Sequence, residues 1–210
     1  MDGSIVHGVC ECYFVAEPDL VKNGSTTLEY VGRSIDHAKN CLQDRNSPIP
    51  QHLVLQLDNT CRENKNNTMI LGLALQVARG HFCSIMVNFM EVSHTHNDQD
   101  QRFAVARLHL RSAPCLQDPK AFVEALQNKM VGCQGRSVFV ELSEDYRDWN
   151  EYVHAIGQLH NHTGPLSTRS FRLVKRGDLL NGAPDDLQIY SGAWDKMWTH
   201  IDRALTNPGQ

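Results

Sequence analysis

The chain has 210 residues, of which 41% are hydrophobic and 21% charged, and its formal net charge is −4 at pH 7. This composition is ordinary for a globular protein, and the acidic balance excludes a global attraction to nucleic acid, so any DNA contact needs a local basic patch. No secretory signal or apolar membrane span is recognisable and the seven cysteines form no disulfide framework, so we expect an intracellular protein, nuclear or cytoplasmic, that is neither secreted nor membrane-bound.

The first quarter of the chain predicts two strands with a helix between them. A strand is expected over residues 8–15, followed by a helix for which Thr26 and Glu29 form a capping box. Pro48 ends that helix because proline cannot continue it. Residues 52–57 are apolar on nearly every position, which predicts a strand that is covered on both faces.

The next segment continues the alternation. Residues 69–78 are apolar nearly all round and predict a buried helix, residues 82–92 predict a strand, and a further helix should begin within residues 94–100. Pro114 closes this half. Strands that alternate with helices indicate an α/β protein with a layered sheet.

The second half repeats this alternation more loosely. Helices are predicted over 119–131 and 146–160, strands over 138–140 and 171–174, and a last helix around Trp194 and Trp198. We therefore predict a core over residues 1–114 and an α/β C-terminal extension over residues 115–210.

Asp58 is the strongest single candidate for chemistry. It directly follows the apolar strand 52–57, at the edge of the sheet where open α/β folds place their sites. A carboxylate at the end of a buried strand is costly unless it is paired or binds a metal. The alternative is a turn residue, because Asp58-Asn59-Thr60 is also good turn chemistry.

A second polar cluster lies between the strand at 82–92 and the following helix. His94, His96, Asp98 and Asp100 alternate, so in an extended stretch all four point the same way. Four candidate ligands so close together predict metal binding or catalysis. If a helix begins here, the two aspartates fall in its first turn, where the helix dipole favours them without any function.

Three polar residues follow Asp58 closely. The residues that could contact a phosphate group or DNA are Asn59, Asn64, Lys65 and Asn66. The alternative for Lys65 is a lysine without a functional role, exposed at the start of a helix.

Two motifs resemble a transposase-like family of unknown function. Its pattern LQLDNTxxENKN stands here as LQLDNTCRENKN over residues 55–66, and its pattern ending in GHTHEDID stands as SHTHNDQD over residues 93–100. The resemblance covers roughly residues 5–110. By analogy it implies an RNase H-like fold of the DDE integrase type, a mixed sheet flanked by helices.

The resemblance also implies a mechanism. Carboxylates would hold two Mg²⁺ or Mn²⁺ ions that clamp the attacking and leaving oxygens during phosphoryl transfer on DNA. Asp58, Asp98 and Asp100 would be the catalytic carboxylates, and His94 and His96 would bind metal or orient phosphate. We expect Asp58 within metal-bridging reach of Asp98 or Asp100.

Departures from the family pattern weaken the expected activity. The family's Glu is Asn97 here, its Gly is Ser93 and its Ile is Gln99, so one carboxylate of the cluster is lost. An RNase H-like site also takes a carboxylate from the first strand of its sheet, and we expect this chain to be truncated before that strand. The prediction is a degenerate or inactive copy.

Two alternatives stay open, and with them the question whether the chain is an enzyme. One is a non-catalytic binding or structural module whose polar cluster is a hydrogen-bonded network. The other is a zinc-dependent hydrolase that uses His94, His96 and Asp98, with further ligands from His109, His154, His160 or His162. The sequence leaves the oligomeric state unknown.

Overall fold

The structure is a computed structural model, and it describes residues 1–90, 98–111, 118–132, 135–159, 170–175, 187–192, 199–201 and 203–205. The helices are α1 Gly24–Asp44, α2 Asn67–Ala78, α3 Asp98–Leu110, α4 Pro119–Lys129 and α5 Trp149–Ile156. The strands are β1 Asp2–Val6, β2 Cys10–Ala16, β3 His52–Leu57, β4 Ser84–Phe89, β5 Ser137–Ser143, β6 Gly157–Leu159, β7 Ser170–Lys175, β8 Leu187–Gly192, β9 Thr199–Ile201 and β10 Arg203–Leu205.

The predicted α/β class is confirmed, and the larger sheets are mixed. One sheet has the order β1-β2-β5, with an antiparallel and a parallel pair. A second has the order β3-β4-β7-β8-β9, in which only β3 and β4 are parallel. A third pairs β6 with β10. The described strands thus form several sheets where the sequence suggested one.

The chain folds as two compact units that interleave along the sequence. The first contains residues 1–21, 29–49 and 94–146, and the second contains residues 22–28, 50–93 and 147–210. Strands β5 and β7, both beyond residue 114, pair with β2 and β4. The predicted division of the chain at residue 114, into a core and a C-terminal extension, stays a prediction.

In the first unit, β2 separates two hydrophobic clusters. Tyr13 and Val15 pack with residues of α3, α4 and β5, whereas Cys10, Cys12 and Phe14 pack with α1. This follows from the two-residue period of a strand, which sends alternate side chains to opposite faces. Helices therefore cover this small sheet on both faces.

A buried ion cluster lies within the first of these faces. The Glu11 side chain is fully buried, and its carboxylate lies 2.6 Å from Arg102 Nε and 3.0 Å from the Arg136 guanidinium. The Tyr13 hydroxyl donates to the same carboxylate at 3.1 Å. Burial, followed by the nearby Glu11 charge, raises the pKa of Tyr13 to about 12. The tyrosine therefore stays a neutral donor to Glu11.

In the second unit, α2 is the buried helix that the sequence predicts. Eight of its residues are buried, and it ends at Arg79 and Gly80, with Gly80 at φ 78°. A Cβ atom at Gly72 would overlap the Leu28 side chain, so glycine is required for this close approach. Phe89 of β4 and Phe171 of β7 meet edge to face with ring centroids 6.0 Å apart.

Two local predictions are wrong. The cap of α1 is Asn23, whose Oδ1 accepts from the backbone N–H groups of Ser25 and Thr26, while Glu29 pairs with Arg33. Strand β3 is exposed on alternate residues, so one of its faces is uncovered and the predicted cover on both faces is wrong.

Two further points concern the ends of the chain. Strand β1 was not predicted; its sequence Asp-Gly-Ser-Ile-Val carries little strand propensity. The predicted helix around Trp194 and Trp198 lies outside the described residues, and β9 follows it.

We expect the Glu11→Gln substitution to destabilise the fold by about 3–5 kcal/mol, because it leaves buried guanidinium charge without its counter-ion. Chemical denaturation followed by circular dichroism measures this. Glu144→Gln is the matched control, since Glu144 pairs with Lys120 at 3.8 Å on the surface, and its loss should cost about 1 kcal/mol or less. Equal losses in the two variants would contradict the prediction.

His37 should make stability depend on pH. It stacks on Phe139 with centroids 4.5 Å apart, and burial lowers the pKa of its imidazole. The unfolded chain therefore binds this proton at higher pH, near about 6.5, than the folded chain does. Stability should be full above that value and fall as the pH drops through it. Denaturation of His37→Gln at a series of pH values should show a shallower fall, and an unchanged slope would refute the assignment.

Candidate metal centre

Two hydrogen bonds hold the Asp58 side chain at the end of β3. Its Oδ1 accepts from the Asn59 backbone N–H at 2.6 Å, and its Oδ2 accepts from the Thr60 hydroxyl at 2.7 Å. The residue is exposed. These hydrogen bonds give Asp58 a structural role whether or not it binds a metal, and the turn that Asp-Asn-Thr favours stays a prediction.

The predicted phosphate-contact residues after Asp58 organise the loop itself. Asn64 donates its side-chain N–H to the Asp58 carbonyl at 3.1 Å. Asn66 is the N-cap of α2: its Oδ1 accepts from Met69 N, and its Nδ2 donates to the carbonyls of Cys61 and Arg62. These amides hold the chain between β3 and α2, which accounts for much of the motif without a ligand.

Lys65 lies inside the second unit rather than on its surface. It is 1% exposed, and its Nζ lies 5.4 Å from the centroid of the Phe89 ring. This is the geometry of a cation–π contact. The alternative that Lys65 is an exposed lysine at the start of a helix is therefore wrong. A phosphate contact through Lys65 stays a prediction.

Asp98 and Asp100 open α3 in the first unit. Both are exposed and lie in the first turn of the helix. Between them, the Gln99 side chain packs over Gly3 of β1, where a Cβ atom would overlap its amide. Both Gln99 amide atoms are buried and have no hydrogen-bond partner among the described residues. The family's isoleucine would fill this position without that cost.

The remaining predicted ligands are histidines, and most of them lie outside the described residues. His94 and His96 lie outside the described residues, as do His160 and His162, whereas His109 lies on α3 and His154 on α5. Within the described parts of the chain, no three His, Cys, Asp or Glu side chains cluster as a metal site. The predicted bridging of Asp58 with Asp98 or Asp100 stays a prediction.

The carboxylates that are present suit the expected metal. Exposed Asp oxygens are the hard ligands that Mg²⁺ and Mn²⁺ prefer, and a site built on one or two carboxylates with waters is usual for Mg²⁺. Hydrogen bonds that hold a ligating carboxylate in one orientation favour metal binding, and Asp58 has two. The described candidates for binding such an ion are therefore Asp58 in the second unit, and Asp98 and Asp100 in the first.

Comparison with known proteins identifies the family. The domain of unknown function DUF7869 matches residues 1–180. The chain belongs to this family. The match extends well past both motifs and includes strands of both larger sheets. Neither the curated proteins nor the solved structures gave a match. In the described residues, no helix is long and apolar enough to cross a membrane.

The sequence did not reveal Glu11 and its two arginines. Glu11 lies in a run of apolar and cysteine residues, Cys10-Glu11-Cys12-Tyr13-Phe14, on a strand buried along most of its length. A charged residue in such a run signals a buried partner, since an unpaired charge would be too costly there. That signal predicts a counter-ion but not which residue supplies it.

We expect Asn66→Ala to lower stability by about 0.5–2 kcal/mol, the usual loss for an N-cap. Asn66→Asp should recover part of this loss because it keeps the acceptor for Met69 N. The matched control is Asn67→Ala, at the exposed neighbouring position. Thermal unfolding compares the three variants. If Asn66→Ala and Asn67→Ala unfold alike, capping is not the role of Asn66.

Proposed function

We propose that this chain is a transposase-derived, RNase H-like domain that retains binding of Mg²⁺ or Mn²⁺ while its phosphoryl-transfer activity on DNA is degenerate. The observation that supports the proposal is the Asp58 carboxylate, which is exposed directly after β3 and oriented by two hydrogen bonds. Asp58 belongs to the second unit, and Asp98 and Asp100 belong to the first. Asp58 follows β3, β3 pairs in parallel with β4, and Asp98 and Asp100 open the next helix along the chain. Carboxylates at such strand and helix ends are the ligands that two-metal phosphoryl transfer uses.

The accessibility of these carboxylates supports binding of an ion. All three residues are exposed, so an ion can reach them without opening the core. Each Asp58 oxygen accepts one hydrogen bond and has lone-pair capacity for a metal. The bound ion would supply charge neutralisation and a polarised water, and Asp58 would contribute an oriented anionic ligand.

The degeneracy rests on the composition of the second cluster. Asn97 stands where the family pattern has a glutamate, and a neutral amide neither carries the negative charge nor accepts a proton as a carboxylate does. Gln99 adds a buried amide without a partner among the described residues. A site with fewer carboxylates holds two divalent ions less tightly, so cleavage suffers before single-ion binding does.

A second candidate is a non-catalytic binding or structural module. It is favoured by the hydrogen bonds of Asp58, because both of its carboxylate oxygens already accept from Asn59 and Thr60. In that case the motif is retained because it connects β3 to α2, and no ion is needed.

Isothermal titration with Mn²⁺, Mg²⁺ and Zn²⁺ separates the candidates. We expect Mn²⁺ and Mg²⁺ to bind the purified chain, and Asp58→Ala to weaken binding by more than the ~10-fold that loss of an outer-shell partner costs. Asp19→Ala, at an exposed turn, is the control and should bind as the wild type does. Thermal unfolding of each variant verifies that it is folded.

Other outcomes contradict the proposal. Wild-type protein that binds no ion would favour the structural module. Zn²⁺ binding that is insensitive to Asp58→Ala would favour the zinc hydrolase built on His94, His96 and Asp98. If Mn²⁺ binds as expected, a nuclease assay on DNA in the presence of Mn²⁺ should give little or no cleavage.

A further inference from the structure

We infer that the outer edge of β3 pairs with the same edge of a second copy of this chain. Strand β3 pairs with β4 on one side, and among the described strands nothing pairs with its other side. The six residues of the strand, His-Leu-Val-Leu-Gln-Leu, include no lysine, acidic residue or proline. Those are the residues that normally protect a sheet edge from pairing.

The backbone groups that face outward can be identified. The carbonyls of Gln51 and Leu57 accept from Cys83 N and Met90 N on the β4 side. Because successive residues of a strand direct their backbone groups to opposite sides, His52, Val54 and Gln56 present theirs at the outer edge. Val54 is also 66% exposed, which is unusual for a strand valine.

Hydrogen-bonding groups at the two ends of the segment select the second copy as the occupant and fix the register: the His52 imidazole begins β3, and the Asp58 carboxylate directly follows it. In an antiparallel pairing that sets His52 opposite Asp58, Val54 falls opposite Gln56, so outward backbone groups meet outward backbone groups. Leu53 then faces Leu57, and Leu55 faces its own copy, so the leucine face continues across the pair. A strand of another sequence would not place a carboxylate opposite His52 and an imidazole opposite Asp58.

The His52 side chain is oriented for this contact. Its Nδ1 lies 2.8 Å from the Ser84 hydroxyl, and both His52 and Asp58 are exposed. If the hydroxyl donates to Nδ1, the ring proton is on Nε2 and can be donated to the partner's carboxylate. The two-fold symmetry of the pairing forms this contact twice.

Sedimentation equilibrium tests the pairing across micromolar to millimolar protein. We expect a reversible monomer–dimer equilibrium, weakened at least about tenfold by Val54→Lys, because a lysine on the outer edge opposes pairing. Leu108→Lys is the matched control: Leu108 is 61% exposed on α3 and should leave the equilibrium unchanged. A wild-type chain that stays monomeric throughout would overturn the inference, as would a dimer that Val54→Lys does not affect.

A charge exchange tests the register. His52→Asp places carboxylates opposite carboxylates, and Asp58→His places imidazoles opposite imidazoles, so each variant alone should dimerise more weakly than the wild type. An equimolar mixture should form a heterodimer in which each Asp again faces a His. Circular dichroism verifies that both variants fold. A mixture no more associated than the separate variants would rule out this register.

Discussion

The buried carboxylate of Glu11 is the constraint on which the first unit depends. A fully buried carboxylate loses its hydration, and only close, well-oriented cations compensate for that loss. Arg102 supplies one of them from α3 and also donates to the Val131 carbonyl at 2.7 Å. Helix α3 can therefore lie only where its guanidinium reaches β2. The exposed first turn with Asp98 and Asp100 is held in place by an ion pair inside the core.

In the second unit, polar side chains at the starts of helices connect the helices through hydrogen bonds. Asp148 accepts from the backbone N–H of Asn150 at 2.9 Å, and the same N–H lies 3.0 Å from the hydroxyl of Ser25 at the start of α1. Thr68, in the first turn of α2, is hydrogen-bonded to the Asn150 side chain. The free N–H groups of helix starts need acceptors, and here the acceptors also link α1, α2 and α5.

The sequence predicted the helices of this fold better than its sheets. The apolar periodicities of α1 to α4 are local, so their existence and buried faces could be inferred. Whether β3 is central or at an edge depends on distant strands, and its apolar sequence fits both. The Glu11–Arg102 pair joins residues far apart in the chain, so no local pattern indicates it.

The hydrogen bonds of Asp58 and a metal site at the same carboxylate are physically compatible. The hydrogen bonds from Asn59 and Thr60 fix the rotamer of the carboxylate, so an ion would not have to immobilise it. A preorganised ligand binds more tightly than a free one, but one carboxylate alone holds a divalent cation weakly in water. Whether Asp58 also binds a metal ion therefore depends on how many other carboxylates reach the same ion. Asn97 stands where the transposase-like motif that this segment resembles has a glutamate, so the sequence offers one carboxylate fewer for such an ion.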